Sequence, residues 1–184
     1  MVSKGSPSLV AAPVWSDARL EADRTKAIAE FRDERLTEPL EAYLEVFESY
    51  RDAFDELLET TVDLTQLADN AVEVLTDARF LEAVRYLAAP PMSSDDLTTL
   101  AEAPSLSAKV IKADPELAQR IIATVLDGLD RRRFPWFTEG REATEQERAS
   151  AVLASTALLA TQRVNTDRRS KAKKVQIGRA SCRE

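Results

Sequence analysis

The chain has 184 residues, of which 44% are hydrophobic and 31% charged, with a formal net charge of −7 and only 4 glycines. It contains no histidine, which excludes Ser-His-Asp and Cys-His catalysis and histidine ligands for metals. Alanine, leucine, glutamate and arginine dominate, and because all four favour helix we predict a soluble all-α protein.

Two further features indicate a cytoplasmic protein with no membrane partner. No apolar run reaches the roughly 18 residues that a membrane span requires, and no signal peptide opens the chain. The only cysteine is Cys182, near the end of the chain, so there is no disulfide framework.

Charge is distributed unevenly along the chain. Residues 17–59 hold 14 acidic and 6 basic side chains, whereas residues 161–176 hold six basic side chains against Asp167 alone. An acidic body with a basic end is one of the patterns that suggest a polyanionic partner. A solvated helix end explains the same pattern equally well.

The first half of the chain predicts several helices in order. Residues 1–14 have no periodicity and are expected to be flexible. Ser16 or Asp17 caps a first helix, and a second helix follows Thr37 and runs to about Thr60. Apolar residues at helical spacing form a stripe along this second helix, and we assign the stripe to the core: Leu40, Tyr43, Leu44, Phe47, Tyr50, Phe54, Leu57 and Leu58.

Further capping signals place the next helices. Asp63 is expected to cap a helix, and the helix after it is expected to end at Pro90-Pro91. Residues 93–96 form a capping box, and Asp114 with Pro115 opens another helix. Between these, two short helices around Ala103-Pro104 fit either a generic hairpin or a DNA-reading helix-turn-helix with Ser105, Ser107, Lys109 and Lys112.

Residues 131–137 form a basic and aromatic loop interrupted by Pro135. The triplet of Arg131, Arg132 and Arg133 is suited to phosphate contact. We expect Phe134 and Trp136 to fill the core rather than to stack on bases. The alternative is that the arginines pair with Asp127 and Asp130.

A capping box at Thr144 and Glu147 predicts a helix about thirty residues long, with the basic cluster on its last turns. Its expected inner face consists of Val152, Ser155, Leu158, Leu159 and Gln162. We therefore divide the chain into a helical domain over residues 15–143 and a long helix over residues 144–176.

No catalytic centre is recognisable, and the end of the chain is unusual. Nucleases of the PD-(D/E)xK type need an acidic residue two places before a lysine, and no lysine here has one. Residues 177–184 read as one frame of a common sequencing adapter. We expect this tail to be non-native and the natural chain to be cut near Gln176.

Three segments in order carry a family resemblance: residues 87–97 (LAAPPMSSDDL), residues 128–136 (GLDRRRFPW) and residues 160–169 (ATQRVNTDRR). With this spacing the chain resembles the N-terminal half of the XamI-type restriction endonucleases, from about Trp15 to Gln176.

The resemblance implies the multi-helix N-terminal domain of a PD-(D/E)xK-type restriction endonuclease, whose α/β catalytic core would follow and is missing here. Such an enzyme cleaves double-stranded DNA with Mg²⁺, acts as a homodimer on a palindromic site, and would hold its metal outside this fragment. The fragment is then expected to bind no metal, to be inactive alone, and to contact DNA through the loop arginines and the end of the long helix: Arg131, Arg132, Arg133, Gln162, Arg163, Arg168, Arg169, Lys171 and Lys173. The alternative is a non-enzymatic helical interaction module that uses the stripe of residues 40–58.

Overall fold

The computed structural model describes the backbone of residues 15–181 and the side chains of residues 15–171 and 173. The expected flexible start, residues 1–14, lies outside the described residues. Within them the chain forms these helices: α1 Asp17–Arg32, α2 Glu38–Thr60, α3 Ala71–Thr76, α4 Ala78–Arg85, α5 Ser94–Leu100, α6 Ala108–Ala113, α7 Pro115–Asp127, α8 Pro135–Glu139 and α9 Glu145–Ser181. Over residues 15–181 the only sheet-type pairing is an isolated bridge between Ala88 and Leu129. The predicted all-α fold is confirmed.

The predicted helix starts are confirmed where a side chain caps the backbone locally. Ser16 accepts a hydrogen bond from the backbone N–H of Arg19, and Asp114 accepts one from Leu117. The capping box of α5 forms between Ser93 and Asp96. These bonds satisfy N–H groups that have no partner inside the helix.

The chain divides into two compact units, Met1–Leu40 and Glu41–Glu184. In the first unit α1 has no buried residue. A π-helical segment, Asp33–Thr37, follows α1, and the guanidinium of Arg35 lies 5.3 Å from the ring centre of Phe31. The apolar side chains of α1 are therefore exposed.

The assignment of the whole α2 stripe to the core is wrong for its first half. Phe54, Leu57 and Leu58 are buried, whereas Leu40 and Leu44 are exposed. Tyr43, Phe47 and Tyr50 are half-buried. Packing of α2 against the core of the second unit begins at Val46, and the exposed leucines Leu40 and Leu44 come before this point.

The prediction of a helix start at Asp63 is also wrong, because the chain reverses there in a left-handed conformation. Val62, Asp63 and Leu64 have φ angles of 47°, 55° and 72°. The N–H of Asp63 bonds to the carbonyl of Leu58 at 2.8 Å, and that of Val62 to the carbonyl of Glu59 at 3.3 Å. This pair of bonds is a Schellman motif, which ends α2. The next helix, α3, begins only at Ala71.

The core of the second unit is built around α3 and α7. Helix α3 packs against α4, α6 and α7, and α7 contributes Leu117, Ile121, Ile122 and Val125 as fully buried side chains. Between α7 and α8, a Cβ at Gly128 would lie 2.7 Å from the Sδ-bound methyl of Met92 and 3.4 Å from the Cβ of Ala88. A side chain at this position would therefore displace the end of the flexible Met92 side chain, beside the segments that pair at Ala88 and Leu129.

Helix α9 packs into the same unit over its first four turns. Ala151, Val152, Ser155, Thr156, Leu159 and Ala160 are buried. The helix extends to Ser181, beyond the expected boundary at Gln176, and the side chains of residues 174–181 lie outside the description. Of the helices within residues 15–181, none has the length and apolarity needed to cross a membrane.

Candidate nucleic-acid interface

The loop that carries the three predicted arginines is fixed by Asp130. Its Oδ1 accepts the backbone N–H groups of Arg132 at 3.0 Å and Arg133 at 3.3 Å, which is the side-chain-to-backbone bonding typical of an Asx turn. Partial burial opposes ionisation of Asp130, but the hydrogen bonds from Arg133 and Arg132 outweigh it and lower the pKa of its carboxyl. The carboxylate therefore stays charged and holds the loop.

Arg133 points into the protein. Its side chain is 12% exposed and forms an ion pair with Asp130 at 2.7 Å. Its guanidinium also donates to the Ser155 hydroxyl of α9 at 2.8 Å. Further donors reach the carbonyls of Tyr86, Leu87 and Ala88. For Arg133, the structure therefore shows the alternative expectation, in which the arginine pairs with a nearby aspartate.

These carbonyls also explain why α4 ends at Arg85 rather than at Pro90-Pro91. The chain leaves the helix at Tyr86. The carbonyls of the irregular segment that follows accept hydrogen bonds from Arg133 and, at Leu87, from the backbone N–H of Asp130 at 3.0 Å, instead of from helical N–H groups. Arg133 thus joins this segment, the basic loop and α9.

Arg131 and Arg132 are exposed. Arg132 lies at an open groove that Arg133 and Pro135 also line, together with side chains from the first turns of α9: Gln146, Glu147, Ser150, Ala151 and Ala154. The loop therefore presents two arginines to solvent and turns the third inward.

The two aromatic side chains of the loop are in the core, as predicted. Phe134 and Trp136 are buried, with their rings edge to face at a centroid distance of 5.5 Å. The indole N–H of Trp136 donates to the carbonyl of Asp63 at 3.0 Å. Both rings are thus enclosed by protein and are not exposed for stacking on a base.

The inner face of α9 is predicted correctly except at one position. Val152, Ser155 and Leu159 are buried and Leu158 packs partly against the core. Gln162 is exposed, because α9 passes beyond the core after Ala160. Its amide is therefore presented to solvent with the basic residues that follow.

The predicted basic residues at the end of α9 are exposed but do not share one face. Arg168, Arg169, Lys171 and Lys173 are all exposed. An α-helix turns about 100° per residue, so consecutive members of this set point in different directions around the axis. The set surrounds the helix with positive charge.

Arg163, in the same basic segment, contacts another helix. Its Nη1 lies 3.0 Å from Oε1 of Glu82 on α4, and the Tyr50 hydroxyl of α2 donates to Oε2 of the same carboxylate. Sequence reasoning missed Glu82 and Tyr50, since residues so distant along the chain carry no local signal. Asp130 carried such a signal, because it lies three residues before Arg133.

The two groups of cations lie at different levels of α9. Arg133 reaches Ser155, and Arg168 lies roughly 20 Å further along the helix at 1.5 Å per residue. The structure therefore does not combine the loop arginines and the helix end into one cluster. They form two positive surfaces: the loop surface, Arg131 and Arg132, and the helix surface, Arg168, Arg169, Lys171 and Lys173.

A magnesium site does not fit the described residues. Across residues 15–181, no group of three Asp, Glu, His or Cys side chains is arranged to hold a metal ion. The carboxylates with lowered pKa serve other partners: Asp96 binds Ser93, Asp130 binds Arg133, and Glu147 binds Arg141 and Thr144. These acids stabilise the fold locally.

Comparison with known proteins identifies the family. Residues 65–180 match the model of the XamI restriction endonuclease family. The type II restriction enzyme XamI of Xanthomonas campestris pv. amaranthicola is 37% identical over 166 residues, which cover 89% of this chain and 60% of that protein. No solved structure matches the chain. With most of its length matched, this chain belongs to the XamI restriction endonuclease family.

Proposed function

We propose that this chain is part of a type II restriction endonuclease, an enzyme that binds a specific site in double-stranded DNA and hydrolyses its phosphodiester bonds. In this proposal the chain supplies a helical scaffold and contacts to the DNA backbone, and it works in the cytoplasm. The observation that carries it is the match to the family over residues 65–180, a segment that contains both exposed basic surfaces.

The proposed contacts are electrostatic. Arg131 and Arg132 on the loop surface, and Gln162 with the helix surface of α9, are exposed. Arginine and lysine side chains bind phosphate oxygens with charge-assisted hydrogen bonds. Arg133, which was expected to contact DNA, is proposed instead to hold the loop that presents its two neighbours.

Cleavage is proposed to need more than this chain provides. The chain spans 60% of the length of the relative, and we place the Mg²⁺-binding carboxylates in the part of the enzyme that it does not span. The fragment is therefore expected to bind DNA without cutting it. The full-length enzyme is expected to be a homodimer, because a palindromic site has two-fold symmetry.

A fluorescence-anisotropy titration of a labelled duplex over ~50 to ~200 mM salt tests the contacts. We expect affinity to fall steeply with salt, and each lost phosphate contact to reduce the slope of log K against log[salt] by about 0.9. Arg131→Gln with Arg132→Gln, and separately Arg168→Gln with Arg169→Gln, should each reduce the slope by roughly 2.

Lys109→Gln with Lys112→Gln is the matched control, since both lysines are exposed on α6 and lie outside the proposed interface. An equal loss of slope in this control would favour the helix-turn-helix interpretation instead. Absence of duplex binding by the unaltered chain at low salt contradicts the proposal. Cleavage of plasmid DNA by this chain with Mg²⁺ would show that the catalytic residues lie within it.

A second candidate function is a helical protein-interaction module. The supporting observation is that Leu40 and Leu44 of α2 are exposed apolar side chains at the spacing of one helix face. A stable complex with a protein partner in size-exclusion chromatography and crosslinking, lost in Leu40→Ser with Leu44→Ser, would favour this module if duplex binding were absent.

A further inference from the structure

Glu82 connects three helices of the second unit. Its Oε1 accepts a hydrogen bond from Nη1 of Arg163 on α9 at 3.0 Å, and its Oε2 accepts one from the hydroxyl of Tyr50 on α2. The Glu82 side chain is 18% exposed, whereas that of Arg163 is 51% exposed. The carboxylate is thus fixed in the protein, and the arginine that it binds faces solvent.

Tyr50 keeps this carboxylate in place. Burial, followed by the hydrogen bond to Glu82, raises the pKa of Tyr50 to about 12. The hydroxyl therefore remains protonated at neutral pH and continues to donate to Glu82. A carboxylate held by one donor on its inner side presents its other oxygen to Arg163 in a constant position.

Arg163 has N–H donors that Glu82 does not use, and its ion pair with Glu82 is weak enough to be exchanged. A guanidinium carries five N–H donors, and Glu82 engages Nη1 alone. The half-exposed guanidinium is also reached by water, which weakens its attraction to Glu82. Arginine also binds phosphate in the same way that it binds carboxylate. Exchange of Glu82 for a phosphate oxygen therefore requires only a rotation of the arginine side chain.

Arg163 also lies next to the exposed residues of α9 that are proposed to contact DNA. It lies five residues before Arg168, where the helix surface begins, and Gln162 beside it is exposed. The other basic members of this segment, Arg168 and Arg169, are exposed as well. A DNA phosphate backbone that runs along α9 would thus reach Arg163 while Glu82 is bound to it.

We propose that Glu82 is an internal competitor of the DNA backbone, which holds Arg163 in the free protein and releases it to a phosphate when duplex DNA binds. This inference rests on the proposed function, because it requires α9 to contact DNA. It gives Glu82 a regulatory role: the carboxylate lowers affinity for any polyanion, because the polyanion has to displace it to bind Arg163.

The test is a double-mutant cycle on duplex affinity, measured by anisotropy at low salt. Glu82→Gln removes the competing charge but keeps an oxygen for the Tyr50 hydroxyl, and we expect it to raise affinity about three- to tenfold. Arg163→Gln should lower affinity, and Glu82→Gln should have no effect in that background. This coupling is the signature of competition, since independent sites give additive effects.

Two further variants separate competition from a general charge effect. Glu82→Asp keeps the net charge and shortens the side chain, so it should also raise affinity, to a smaller extent. Glu56→Gln removes the same charge from a comparable ion pair, with Arg79 at 3.3 Å, and should leave affinity within about twofold. Thermal denaturation of each variant confirms that it folds.

The outcomes distinguish this inference from the proposed function. If the unaltered chain binds duplex but Glu82→Gln and Glu82→Asp do not bind more tightly, the competitor role is overturned and the proposed function stands. If Glu56→Gln raises affinity as much as Glu82→Gln, the gain is a general charge effect and the competitor role is again overturned. If neither the unaltered chain nor any variant binds duplex at low salt, both proposals fail.

Discussion

The guanidinium of Arg133 lies 2.8 Å from the hydroxyl of Ser155, so that the basic loop is tied to a buried position of α9. The same guanidinium pairs with Asp130 and reaches three backbone carbonyls. One arginine of the triplet therefore determines the positions of the other two.

This contact predicts opposite behaviour for two adjacent arginines. Arg133→Gln should lower the free energy of unfolding by about 3 kcal/mol, because Oδ2 of Asp130 and the carbonyls of Tyr86 and Ala88 lose the guanidinium donors that they bind. Arg132→Gln, at an exposed side chain, should change it by no more than about 0.5 kcal/mol. Urea denaturation measures both. If Arg133→Gln unfolds like the unaltered chain and weakens duplex binding, Arg133 contacts DNA as the sequence suggested.

The Schellman motif at the end of α2 predicts a stabilising substitution. Val62 occupies the left-handed position with φ 47°, where glycine is usual. A β-branched residue is strained there, so Val62→Gly should raise the free energy of unfolding by about 0.5–1 kcal/mol, the relief of strain exceeding the entropic cost of glycine.

Leu153→Gly is the control for that substitution, because Leu153 is similarly exposed but lies inside α9. It should lower stability by about 1 kcal/mol. In chemical denaturation, the free energy of unfolding should thus rise for Val62→Gly and fall for Leu153→Gly. A destabilised Val62→Gly variant would argue against the left-handed turn.

Substitution of the buried Trp136 is expected to lower stability more than substitution of the exposed Trp15. Trp136→Phe leaves a cavity and removes the donor to the Asp63 carbonyl, and should cost about 2 kcal/mol of stability. Trp15→Phe, at an exposed position, should change stability by no more than about 0.5 kcal/mol. Equal melting temperatures for the two variants would contradict the burial of the loop aromatics.

The capping box of α9 predicts that the stability of the protein depends on pH. Hydrogen bonds from Arg141 and then Thr144 lower the pKa of Glu147 from 4.5 to about 2. Because the pKa is lower in the folded chain, the stability that Glu147 contributes is present above pH 4.5 and is lost as pH falls towards about 2.

Melting temperatures across that pH window test the prediction. Glu147→Gln should reduce the loss of stability between pH 4.5 and about 2, whereas Glu145→Gln, in the same first turn of α9, should retain the steeper fall of the unaltered chain. Parallel pH curves for all three proteins would show that Glu147 does not form this contact.

What the sequence determined by itself is local. The capping boxes at Ser93 and Thr144 join residues three apart, so their geometry is contained in the helix turn and is readable from spacing. The burial of Phe134 and Trp136 also followed from residue type, because large aromatic surfaces gain most from leaving water. The family was predicted from three segments in order, and the match to the XamI family confirms it.

What only the tertiary structure decided depends on residues far apart in sequence. Which of three consecutive arginines turns inward is settled by the carbonyls of Tyr86 and Ala88 and by Ser155. The pairing of Arg163 with Glu82 and the left-handed turn at Asp63 likewise depend on where helices meet. Side-chain type fixes what an arginine or an aspartate is able to bind, but its partner is fixed by packing, since a charged group pairs with whatever acceptor the fold brings within reach.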